Sequence, residues 1–155
     1  MGRLSPKRKG TMAENELARL LWERGFAVIR GPSSGGGVRT RFQPDIVAIK
    51  EGSIFVIEIK TAREPEQPVY VEGHKVIGLA EFARRAGGQA FVGVRIKGGE
   101  WRFHPIESLV PTRGGNFKVA RALGGLRIRD LAQLATRAPR ITDYMKSNDG
   151  EHGID

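Results

Sequence analysis

The stretch QPDIVAIKEGSIFVIEIK, residues 43–60, constrains this chain more than any other. Two short apolar runs, 46–49 and 54–59, are rich in Ile, Val and Phe, and Glu51-Gly52 sits between them where a β-hairpin needs its turn. A two-residue turn sets Lys50 opposite Ser53, Ile49 opposite Ile54 and Val47 opposite Val56. The same count sets Asp45 opposite Glu58. Directly opposed side chains share a face with their Cβ atoms about 4.5–5.5 Å apart, a position where like charges are destabilising. A slip of one residue would send one acid to the other face, so the register decides whether the two meet.

A cation is needed between them. Lys60, two residues beyond Glu58, shares its face by strand alternation. A hard divalent ion is the other candidate, because Mg²⁺ prefers oxygen ligands and commonly takes only one or two protein carboxylates, leaving places for water and phosphate. Asp45, Glu58 and Lys60 therefore have the parts for phosphodiester hydrolysis. The plainer reading of the same residues is solvated charge at strand ends. The spacing resembles the signature of the PD-(D/E)xK nuclease superfamily, with Pro44 as its leading proline.

A length of 155 residues suits one domain with a real core. The 26 Lys and Arg against 17 Asp and Glu give a net charge of +9, which points to a polyanionic partner. No run reaches the roughly 18–20 apolar residues of a membrane span. The basic start MGRLSPKRKG lacks the apolar segment of a secretory signal, so the cytoplasm is the expected compartment. Without cysteine, metal chemistry must use oxygen or imidazole, and the three histidines are too scattered for a zinc site.

Taken in order, residues 1–10 read as a flexible basic arm, 11–138 as a single folded domain and 139–155 as a disordered tail. A helix is predicted over 11–24, with Leu17, Leu20 and Leu21 on its apolar face and Gly25 ending it. Glu14 has two readings. It completes a capping box with Thr11, or it points with Leu17, Ala18 and Leu21 toward the sheet as a third carboxylate. Residues 26–30 read as a strand, and the glycine-rich 31–43 as a mobile loop without the Gly-Lys-Ser/Thr ending of a P-loop. A short edge strand or extended piece is expected at 69–71, and a helix over 73–86 with Val76, Leu79, Ala80 and Ala83 buried. Lys75, Arg84 and Arg85 read as solvated, and His74 as a surface residue. A second hairpin is expected over 90–104 around Lys97-Gly98-Gly99, with Trp101 and Phe103 as core rather than base-stacking residues. One helical turn near 105–110, an extended piece at 117–119 and a short amphipathic helix over 128–138 complete the chain.

With these motifs placed, the chain resembles the archaeal Holliday junction resolvases of the Hjc type over about residues 7–135. The resemblance is carried by KRKGTMAENELARLLWERGFAVIRGPSSG, PDIVAI, IFVIEIKTAR, EFARRAGGQAFVGV and EWRFHPIESL. It implies an α/β fold like that of restriction endonucleases, with a central mixed sheet of about five strands flanked by helices. It implies a homodimeric, Mg²⁺-dependent endonuclease of DNA recombination and repair that resolves four-way junctions, with Mn²⁺ able to substitute. The implied catalytic residues are Glu14, Ser34, Asp45, Glu58 and Lys60, with Ser33 the neighbouring alternative to Ser34. The implied metal ligands are Glu14, Asp45, Glu58 and the main-chain carbonyl of Ile59. Lys7, Arg8, Lys9, Arg30, Ser33, Arg39 and Arg41 are the expected DNA contacts. Relatives in the superfamily carry a glutamine where this chain has Lys75. The alternatives are a flap or mismatch endonuclease of the same superfamily, and a basic nucleic-acid-binding protein without catalysis.

Overall fold

The computed structural model describes residues 5–32 and 41–136. The first helix, α1 (Pro6–Glu23), begins before the predicted residue 11. Ser5 is its cap: the backbone is extended there (φ −64°, ψ 153°), and the side chain accepts a hydrogen bond from the Arg8 amide at 3.2 Å. Pro6 follows at the first helical position, where its missing N–H costs nothing. Thr11 thus lies inside the helix, and the capping box with Glu14 does not form. Residues 6–10 belong to α1, because a Ser-Pro start outweighs the local excess of positive charge that made the segment read as an arm.

A mixed five-stranded sheet forms the centre of the fold, in the order β1 (Ala27–Arg30), β2 (Ile46–Lys50), β3 (Ser53–Ala62), β5 (Gln89–Ile96), β6 (Glu100–Pro105). The β2–β3 hairpin has the register expected from its sequence, with Lys50 opposite Ser53, Ile49 opposite Ile54 and Val47 opposite Val56. Its turn holds Glu51 at φ 53° and Gly52 at φ 84°, the two positive values that a tight hairpin turn requires. β3 pairs antiparallel with β2 and parallel with β5. The parallel pair needs a crossover, and α2 (Gly73–Ala86) supplies it.

Alternation along β3 divides the core. Phe55 and Ile57 pack with Leu17 and Leu21 of α1 and with Leu131 and Ala135 of α3 (Ile128–Thr136). Val56 packs on the opposite face with Leu79 and Ala83 of α2. Glu58 shares the parity of Val56, so it faces α2. Trp101 and Phe103 are buried and stacked with ring centroids 6.2 Å apart, as core residues.

A second sheet was not anticipated: β4 (Val69–Val71), β8 (Phe117–Val119) and β7 (Val110–Pro111) form three strands in that order. It closes an apolar cluster with Val76, Val92 and Val94 beside the N-terminal end of α2. Among the described residues no helix is long and apolar enough to cross a membrane.

Candidate active site

Asp45 stands immediately before β2, held from two sides. The Gly31 amide donates to its carbonyl at 2.9 Å, and the Ile59 amide donates to its Oδ2 at 2.8 Å. The first contact needs glycine, because a Cβ at residue 31 would lie 2.2 Å from the Pro44 carbonyl oxygen. The second joins the Asp45 carboxylate to the strand that carries Glu58. Phe42 anchors the approach to Asp45: its ring packs with Val56 and Leu79, over Gly78 of α2.

Glu58 is 4% exposed. Burial first, and the nearby Asp45 charge second, push its carboxyl up from 4.5 to about 7, against the pull of Lys75 and Lys60. The register places the two acids on one face, and their mutual repulsion is the electrostatic sign of that placement.

The ammonium against Glu58 is that of Lys75, with Nζ 3.3 Å from Oε1. Lys60 shares the face but pairs with Glu72, at 3.7 Å from its Oε2. Lys75 also reaches that Glu72 oxygen, at 3.4 Å. The expectation of a solvated Lys75 is therefore corrected. It stands one helical turn before buried Leu79, on the margin of the apolar face, and the first turn of α2 packs beside β3 where Glu58 needs a counter-charge.

Glu14 is not brought onto this pair. Arg30 Nε donates to Glu14 Oε1 at 3.0 Å, and the same guanidinium donates to Asn15 Oδ1. Arg30 shares the parity of Val28, which packs on the α1 side, so in this state Glu14 is engaged by Arg30 rather than by the Asp45–Glu58 pair. Among the described residues no group of three or more His, Cys, Asp or Glu side chains is arranged to hold a metal ion.

The oxygen donors of this pair suit a hard ion. Asp45 and Glu58 offer carboxylate oxygens, the Ile59 carbonyl follows Glu58 on the strand, and Mg²⁺ commonly takes one or two carboxylates with water and phosphate completing its shell. A carboxyl pushed upward by burial, and next by the Asp45 charge, also gains from a nearby cation. Arg8 and Arg41 are exposed. Ser33, Ser34 and Arg39, and the side chains of Lys7 and Lys9, lie outside the described residues.

Gly31, Phe42 and Glu72 are not singled out by the sequence, and Lys75 is, but as a solvated charge at the position of the superfamily glutamine. Only the Glu72–Lys75 pair carries a local signal, an acid and a base at i and i+3.

The family described as "Archaeal holliday junction resolvase (hjc)" matches residues 5–139 of this chain. The "Crossover junction endodeoxyribonuclease Hjc" of Sulfurisphaera tokodaii is 37% identical over 131 residues, 83% of this chain and 89% of that protein. The protein of the same name from Archaeoglobus fulgidus is 38% identical over 128 residues, 81% of this chain and 90% of its own length. The solved structure of Archaeoglobus fulgidus Hjc, described as a Holliday junction resolvase from an archaeal hyperthermophile, is similar to this fold. Its TM-score is 0.67 at 35% identity, and the match covers 81% of this chain and 96% of that one.

Proposed function

The chain belongs to the archaeal Holliday junction resolvase (Hjc) family and is a crossover junction endodeoxyribonuclease, and we propose that it resolves four-way DNA junctions as a Mg²⁺-dependent, two-fold symmetric homodimer. The observation that carries this reading is the meeting of Asp45 with a buried Glu58 on one face of the β2–β3 hairpin. A protein that only bound phosphates would do better without those charges.

Asp45, Glu58 and the Ile59 carbonyl are assigned to hold Mg²⁺, with Mn²⁺ able to replace it. When bound, the ion lowers the pKa of a coordinated water and offsets charge building on the phosphate. Glu14 contributes directly or through water, and for direct ligation it must release Arg30. Lys60 orients the attacking water or stabilises the crowded phosphate, leaving Glu72 to do so. Ser34, or Ser33 beside it, is assigned a part in cleavage.

Arg8, Arg30 and Arg41, with Lys7, Lys9 and Arg39, contact phosphates, which positions a substrate without reading its bases. Selection then rests on the shape of the junction, and sequence preference on how easily the crossover deforms. A dimer supplies two centres for the two strands that must be cut.

The test compares labelled four-way junctions, flaps, mismatched duplexes and plain duplexes at matched salt, with and without Mg²⁺. Paired, symmetric cuts on the junction alone are expected. Equal cutting of flaps or mismatches would assign the chain to the other nuclease reading, and tight binding without any cutting would leave only a nucleic-acid-binding protein.

A further inference from the structure

Glu72 is the cap residue of α2, yet its side chain makes no capping hydrogen bond. Its Oε2 instead receives Lys60 at 3.7 Å and Lys75 at 3.4 Å. Lys75 continues to Glu58 Oε1 at 3.3 Å. The four groups form one chain of alternating charge, Lys60, Glu72, Lys75, Glu58. One ammonium therefore lies between two carboxylates of different character: the Glu58 side chain is 6% exposed and the Glu72 side chain 48%.

We infer that Lys75 is a positioning residue that occupies Glu58 as its resident counter-ion and passes to Glu72 when a divalent cation takes its place. This rests on the assignment of Asp45 and Glu58 as the ligands of that cation. An ion bound directly to a carboxylate oxygen sits about 2.0–2.1 Å from it. An ammonium in contact with the same oxygen then faces a doubly charged neighbour at close range, in a site where little water screens the repulsion. Lys75 has to withdraw, and Glu72 is an acceptor already within reach. The backbone need not move. The Gly73 amide donates to Asn116 Oδ1 at 3.0 Å, and a Cβ at residue 73 would lie 2.0 Å from the Gly115 carbonyl oxygen. The start of α2 is pinned, so the exchange is a rotation of one long side chain.

Two consequences have opposite signs. Removing the ammonium frees Glu58 and strengthens metal binding. Removing the charge of Glu72 takes away the acceptor, holds Lys75 on Glu58 and weakens metal binding. If Glu72 acts through Lys75, its effect shrinks when Lys75 is already gone, which a double-mutant cycle reads directly.

The experiment is Mn²⁺ titration of the full-length protein without DNA, followed by electron paramagnetic resonance of the free ion, with thermal melts confirming that each variant is folded. Lys75→Met is expected to bind Mn²⁺ about ten-fold more tightly than the parent, the effect of one unit charge near the site. Lys75→Arg, which keeps the charge, is expected to stay within about two-fold, and Glu72→Gln to bind about three-fold more weakly, less than two-fold so in the Lys75→Met background. Unchanged or weaker binding by Lys75→Met, or an equal shift in Lys75→Arg, overturns the inference while leaving the metal site in place. No Mn²⁺ uptake by the parent protein overturns the metal assignment and the inference with it.

Discussion

The Ile59 amide donates to Asp45 Oδ2 at 2.8 Å, so the strand that carries Glu58 also fixes the carboxylate opposite it. Asp45 precedes its own strand, so the strand ladder alone does not fix its side chain. The hydrogen bond holds one carboxylate oxygen and leaves the other without this partner. Gly31 completes the clamp from the other side, with its amide 2.9 Å from the Asp45 carbonyl.

Gly31→Ala therefore tests whether the clamp serves the chemistry. The new Cβ would fall 2.2 Å from the Pro44 carbonyl oxygen, so Pro44 and Asp45 have to shift. Metal-dependent cleavage is expected to fall about 10²-fold, as misplacement by 1 Å can cost that much, while the melting temperature changes by only a few degrees. Single-turnover cleavage and a thermal melt on the same preparation check it. Wild-type cleavage would show that Asp45 tolerates the displacement.

Lys60→Met removes the ammonium assigned to the reacting phosphate. A preorganised electrostatic contact of this kind is worth roughly 10²–10³ in rate, so kcat is expected to fall by that factor. Junction affinity, measured by gel shift without metal, is expected to change less than about three-fold if most binding comes from the other basic residues. A loss confined to affinity would move Lys60 from the chemistry to the DNA contacts.

The raised carboxyl of Glu58 gives the metal-free protein a pH-dependent stability. Glu58 titrates at about 7 in the folded chain against an ordinary 4.5, so the folded state holds the extra proton between these values. Its stabilising contribution is complete below pH 4.5 and is lost as pH rises through 7. Melts of the metal-free protein across this window should show a decline that Glu58→Gln lacks, the difference amounting to several degrees. Parallel profiles for the two proteins would contradict the buried, proton-binding state.

The helix start gives a simpler check. Ser5→Ala removes the acceptor of the Arg8 amide and should cost about 1 kcal/mol, read from urea unfolding. An unchanged midpoint would mean that the cap contributes nothing to global stability.

What could be read from sequence was what local spacing determines. Asp45 pairs with Glu58 because a two-residue turn fixes a hairpin register by counting, and Glu51-Gly52 supplies such a turn. Individual strands are legible as apolar runs of strand length and α2 as a helical pattern between 73 and 86, whereas the mixed five-stranded sheet that joins them comes from the family resemblance. The contacts that were missed join distant segments. Lys75 meets Glu58 only because α2 lays its first turn against β3, and nothing in the helical pattern separates a lysine at the margin of the apolar face from a solvated one. β4, β7 and β8 are two or three residues long, too short for alternation to reveal that they pair. The Ser5-Pro6 start was legible but hidden under the charge of Arg3, Lys7, Arg8 and Lys9.

The most direct measurement is cleavage of an end-labelled four-way junction in Mg²⁺ by the parent protein, Asp45→Asn and Glu58→Gln, with junction binding measured alongside in the absence of metal. Paired cuts by the parent, a loss of at least about 10³-fold in both variants and binding within about two-fold of the parent are predicted. Full cleavage by either variant would contradict the assignment of these two carboxylates to the reaction.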